Sequence, residues 1–142
     1  FPSPIHPDDY LFPSSPFGIR TDPFERSSIA EHRGIDLVGV WGARIVAIGT
    51  GTVIEFWPPP SKRYSGHPDF GGYVVIEMPD GTVLRYAHMQ EVYVKYLQKV
   101  ETGQIIGRQG NTGRSTSDHL HFEMIKDGTH VNPLKYISLP KR

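Results

Sequence analysis

GYVVIEMPDGTVLRYAHM, residues 72–89, holds two β-rich runs, Tyr73 to Met78 and Val83 to His88, on either side of Asp80-Gly81. Val, Ile and Tyr suit a pleated, half-buried backbone, and Asp-Gly between two such runs is a strong local signal for a tight hairpin. Outward from this pair the pattern repeats: Ile35 to Val40, Arg44 to Ile48, Thr52 to Trp57, Ile105 to Gln109 and His119 to Ile125 are short β-rich runs, most of them parted by Gly or Pro. Lys126-Asp127-Gly128-Thr129 reads as a second hairpin turn. From Glu91 to Val100 a short helix competes with the alternation of Val92, Val94 and Tyr96, which favours strand or irregular structure. The expectation is an all-β, mostly antiparallel domain with little helix.

The chain has 142 residues, enough for one sizeable core. Five prolines among residues 1–16 predict a proline-rich N-terminal arm over 1–15, followed by a single domain over 16–142. Between Trp57 and Gly71 lies a Pro-, Gly- and charge-rich segment of the kind that walls a binding groove. Lys plus Arg and Asp plus Glu each number 15, so no net field marks a nucleic-acid or acidic-membrane partner. No stretch approaches the roughly 18 apolar residues of a spanning helix. The absence of cysteine excludes disulfides, a Cys nucleophile and thiolate metal sites, leaving imidazole and carboxylate for any metal chemistry.

Seven histidines carry the remaining signal. His6 in the arm, His67 in the polar loop and His130 beside a turn have no partner pattern and read as structural. His119-Leu120-His121 differs, because residues two apart on a strand share a face about 7 Å apart, with Leu120 and Phe122 on the buried side. The two rings can converge on one ion, or one can ligate while the other works on a substrate. His32 and Asp36 add nitrogen and carboxylate oxygen in one short segment, a donor set that suits zinc. Fully extended, their Cα atoms would stand about 13 Å apart, so the backbone has to bend, and Gly34 is the residue that permits it. Tyr86-Ala87-His88 ends another run, with two polar rings at the same parity as Leu84. Jointly these strand ends suggest one cleft.

The motifs Ser15-Pro16-Phe17-Gly18-Ile19-Arg20, His32-Arg33-Gly34-Ile35-Asp36, Gly51-Thr52-Val53, Tyr86-Ala87-His88, Thr102 to Gly107, Thr112 to Thr116, His119-Leu120-His121-Phe122-Glu123 and Val131-Asn132-Pro133 occur in one ordered set. In this the chain resembles the lysostaphin/LytM-type zinc endopeptidases that cut peptidoglycan cross-bridges and stem peptides, over about residues 15–137. The resemblance implies a β-sandwich or half-open barrel with an open groove. It implies Zn2+ held by His32, Asp36 and His121, with His88 and His119 as catalytic general acid and base. It also implies peptidoglycan peptides as substrate and a periplasmic, cell-envelope or extracellular place of action. One departure is Ser117-Asp118, where the family often has Gly then another residue. A latent or non-catalytic peptidoglycan-binding or regulatory module of the same fold is the alternative, and its cheapest sign would be a missing ligand or catalytic histidine. None of the five is missing. Substrate preference transfers least, because the loop from Trp57 to Phe70 is individual to this chain.

Overall fold

In the computed structural model, which describes residues 1–21, 29–62 and 66–141, almost every element is an antiparallel strand. The strands are β1 (Tyr10–Ser15), β2 (Gly18–Thr21), β3 (Ile29–His32), β4 (Ile35–Gly39), β5 (Arg44–Val46), β6 (Gly51–Trp57), β7 (Gly72–Glu77), β8 (Val83–Val92), β9 (Lys99–Val100), β10 (Ile105–Gln109), β11 (Leu120–Lys126) and β12 (Thr129–Val131). A single 3-10 turn, Pro133–Lys135, is the one helical element among the described residues. Ten strands form one open sheet with the path β1-β4-β11-β8-β7-β6-β9, to which β10, β5 and β12 attach at its sides. Strands β2 and β3 make a separate ribbon.

Both expected hairpins form. At Asp80-Gly81 the chain joins β7 to β8, with Gly81 at φ +88° and Asp80 Oδ1 accepting from the Thr82 amide at 2.9 Å. At Asp127-Gly128 both central residues have positive φ, +51° and +77°, the twist that matches a two-residue connection between β11 and β12. The stretch 91–100 contains no helix; β8 runs on to Val92 and β9 follows.

The long strand β8 organises the molecule. Its first half pairs with both β7 and β11, whereas from Met89 onward it pairs with β10, which carries β5 on its other edge. One core fills the space so enclosed, built from Leu37, Ile45, Ile76, Leu84, Tyr86, Ile106, Leu120 and Phe122, none of them measurably exposed. Burial of this apolar surface is the main force holding the strands in register.

Residues 1–15 are more than an arm. Ile5 is fully buried in the core and bridges Ile45, Tyr10 is 3% exposed, and β1 pairs with β4 along the sheet edge. Asp9 pins this segment through a forked ion pair, with Arg44 Nε donating to Oδ2 at 2.8 Å and a terminal guanidinium nitrogen donating to Oδ1 at 3.0 Å. The prolines set the extended backbone as expected, but the apolar residues between them decide where it lies.

Candidate metal centre

Alternation along β4 and β11 separates core from site. Ile35 and Leu37 enter the core while Asp36 faces the other way, and in β11 Leu120, Phe122 and Met124 enter the core while His121 and Glu123 face the other way. Asp36 and His121 are direct partners in the β4–β11 register, so their side chains meet without further adjustment. His32 arrives from the β2–β3 ribbon. The chain breaks pairing at Arg33-Gly34 and re-enters the main sheet at Ile35, which supplies the bend that the sequence demands. Gly34 serves a second purpose: a Cβ there would overlap the Phe122 carbonyl oxygen and crowd the Glu123 side chain. The absence of a side chain lets the His32 segment lie directly against β11.

The three donors converge. His32 Nε2 lies 3.2 Å from His121 Nδ1 and 3.3 Å from Asp36 Oδ1, and His121 Nδ1 lies 2.9 Å from the same carboxylate oxygen. His32 and Asp36 are buried, and His121 is 9% exposed. The far nitrogen of each ring is committed to an acceptor: His32 Nδ1 donates to the Pro16 carbonyl at 2.8 Å, and His121 Nε2 donates to Glu123 Oε2 at 2.7 Å. In the neutral form of each ring the inward nitrogen therefore carries a lone pair, and a carboxylate oxygen carries more. Three donors brought this close could hold one shared cation. A tetrahedral ion about 2.0–2.1 Å from each donor would separate the donors by about 3.3 Å, close to the spacing seen, so the set fits zinc.

Electrostatics agree. Burial works against the charge on Asp36, but hydrogen bonds from His121 and His32 outweigh it and hold the carboxyl well below the usual range. Burial would likewise lower His121, yet its bonds to Asp36 and Glu123 push it up to about 9. The pair holds a proton tightly where a metal ion would take its place.

Two further imidazoles face this centre. His119 Nε2 is 3.5 Å from Asp36 Oδ1, and its Nδ1 donates to the Ser117 carbonyl at 2.8 Å. His88 stands with its ring centroid 4.9 Å from that of His119 and 6.0 Å from that of His121. Its Nδ1 donates to the Thr112 carbonyl at 2.7 Å, and burial pushes its pKa down to about 4. His32, Asp36, His88, His119 and His121 thus lie together. Tyr86 does not join them. Its ring lies in the core and its hydroxyl accepts from the Ile48 amide at 3.0 Å, so the expected sharing of a face between Tyr86 and His88 is corrected. Between Gly72↔Met89 and Val74↔Tyr86 the β7–β8 register slips, and His88 sits in this bulge at φ +65°. The bulge turns its ring away from the core and toward the donors.

Sequence reading passed over Glu123 as a working residue, although the parity of His119, His121 and Glu123 was visible. Structural His130 is drawn to it: His130 Nε2 donates to Glu123 Oε1 at 2.9 Å. His67 lies in an aromatic wall with Trp57, Phe70 and Tyr73, and Phe70 stacks on His121 at 6.3 Å. The loop expected to wall a groove is therefore beside the centre in its described part, while residues 63–65 lie outside the described residues.

Peptidase family M23 matches residues 30–133. Over 107 residues the chain is 39% identical to peptidoglycan DD-endopeptidase ShyA of Vibrio cholerae serotype O1, covering 75% of this chain and 23% of that protein. Over 113 residues it is 36% identical to the murein hydrolase activator NlpD of Escherichia coli K12, covering 78% of this chain and 27% of that one. The chain thus spans about a quarter of the length of these curated relatives. The crystal structure of a zinc-containing peptidase from Vibrio cholerae superposes with a TM-score of 0.78 at 32% identity, over 96% of this chain and 39% of that one. Matched through most of its length in sequence and fold, the chain belongs to peptidase family M23 and is homologous to the lysostaphin/LytM-type peptidoglycan peptidases.

Proposed function

We propose that this chain is a zinc-dependent endopeptidase that hydrolyses peptide bonds in peptidoglycan stem peptides or cross-bridges, with His32, Asp36 and His121 as metal ligands and His88 and His119 as general acid and base. The observation that carries this is the orientation of the four imidazoles. Each has one nitrogen committed to a protein acceptor, which leaves the other of the neutral ring to act as ligand or base, and the four rings cluster beside Asp36. Zinc held there would supply Lewis acidity, lowering the pKa of water toward about 7 and polarising a carbonyl. His88 and His119 sit side by side next to His121 and Asp36, with their Nδ1 protons tied to backbone carbonyls. Their Nε2 atoms take a proton from the attacking water and return one to the leaving amine. Free imidazole exchanges protons near neutral pH, and burial biases His88 toward the unprotonated, proton-accepting form. The aromatic wall of Trp57, Phe70 and Tyr73 stands beside His121. The place of action follows from the substrate: peptidoglycan lies in the periplasm, cell envelope or exterior.

A regulatory role is the second reading, favoured by the 36% identity to NlpD, named a murein hydrolase activator. The complete set of five site residues favours catalysis. Mass spectrometry of defined cross-linked muropeptides, either glycine-bridged or joined directly through D-Ala, tests the choice. Cleavage is expected with the zinc-loaded chain, abolished by chelation and reduced about 10²–10⁴-fold by His88→Ala or His119→Ala. Its rate should follow a bell-shaped pH profile. Intact muropeptides of both classes after incubation with zinc-loaded protein would turn the reading to the activator role.

A further inference from the structure

Glu123 is 3% exposed and accepts from three donors at once. Oε2 takes the His121 Nε2 proton at 2.7 Å, while Oε1 takes protons from Arg85 and His130, each at 2.9 Å. Arg85 is its direct partner across β8 and β11, and His130 reaches it from β12. The site therefore treats its two histidine ligands differently. His32 turns Nε2 inward and is held by a neutral backbone carbonyl, whereas His121 turns Nδ1 inward and is held by a buried carboxylate. A carbonyl fixes a tautomer. An ionised carboxylate does so too and also makes the opposite nitrogen a stronger electron-pair donor.

We propose that Glu123 is a positioning residue of the metal centre: it keeps the His121 proton on Nε2 and strengthens Nδ1 as a ligand, while Arg85 and His130 hold its carboxylate in place. The Glu123 oxygens are taken up by His121, Arg85 and His130, so it acts through His121. Without it neutral His121 is free to carry its one proton on Nδ1, toward Asp36, the tautomer that offers the metal no lone pair. The unequal pair of tethers also makes His121 the stronger of the two imidazole donors, balancing the shared carboxylate of Asp36. The inference rests on the zinc reading above only for its affinity readout.

Two measurements on wild type, Glu123→Gln and Glu123→Ala decide it. In metal-free protein, 1H–15N NMR should show a slowly exchanging, far-downfield His121 Nε2 proton in wild type, retained but shifted in Glu123→Gln and lost to exchange in Glu123→Ala. In competition with a chromophoric chelator, Zn2+ affinity should fall about 10–100-fold in Glu123→Ala, and by a smaller factor in the near-isosteric Glu123→Gln. A folded Glu123→Ala variant with wild-type affinity overturns the proposal, as does the absence of a protected Nε2 proton in wild type. If the alanine variant does not fold, an unshifted resonance and unchanged affinity in Glu123→Gln overturn it equally. Wild type that binds no zinc defeats the functional reading instead, and the proton signal alone then decides the role of Glu123.

Discussion

His88 adopts φ +65°, a left-handed backbone that costs a non-glycine residue on the order of 1 kcal/mol or more. The surroundings hold it there. Its amide donates to the Phe70 carbonyl at 2.7 Å, its ring to the Thr112 carbonyl, and the Thr112 hydroxyl clips the bulge by accepting from the Gly72 amide at 3.0 Å and donating to the Met89 carbonyl at 2.8 Å. The same stretch of chain ends at His119, so one loop orients both proposed proton carriers. Thr112→Val should lower kcat at least tenfold with a smaller change in KM and cost about 1–3 kcal/mol of stability, for two polar groups left without a partner. Thr112→Ser should restore both. Steady-state kinetics alongside denaturant unfolding checks this, and equal kcat in the valine and wild-type proteins would refute the clip. Nothing in the residue types predicts the φ of His88. Simple alternation aims it into the core with Tyr86 and Leu84, and the register slip against β7 that reverses it depends on a partner strand.

The elements β4 and β11 were legible as strands, and so was the division of each into a core side and a site side. What the run of residues 32–36 concealed is that it belongs to two sheets. His32 ends the β2–β3 ribbon and Asp36 lies in the main sheet, with Gly34 pressed on the Phe122 backbone between them. Gly34→Ala should push these segments apart, lowering stability by about 1–3 kcal/mol and weakening metal binding more than a surface glycine substitution does. Gly128→Ala is the comparison: it sits at positive φ in an open hairpin tip where a Cβ meets nothing within 4 Å. It should cost about 1 kcal/mol without altering zinc affinity. Thermal unfolding and zinc titration of both variants separate the two effects.

At the scale of the molecule, the first fifteen residues are tied to the sheet through Ile5, Tyr10 and the Asp9–Arg44 pair. The Arg44 guanidinium hydrogen-bonded to Asp9 holds that carboxyl down at about 2, against 3.8 for a free aspartate. A depressed folded-state pKa contributes stability that is complete above the unfolded value and is lost as pH falls toward the folded one. Asp9→Asn should therefore destabilise the protein by about 1 kcal/mol at neutral pH, and the gap from wild type should close between about pH 4 and pH 2. Urea denaturation across that range measures it; a gap that stays constant would show that the ion pair is not its source. What the sequence determined by itself is whatever local physics encodes: antiparallel strands from alternation, hairpins from Asp-Gly turns, nitrogen and carboxylate donors in place of thiolate, and the ordered motifs that mark the family. Only the tertiary structure decided that residues 1–15 share the core, that His88 faces the donors while Tyr86 does not, and that Glu123 gathers Arg85, His130 and His121. Each of these depends on a contact between segments distant in sequence, where burial and register against a partner strand override the preference of the residue itself.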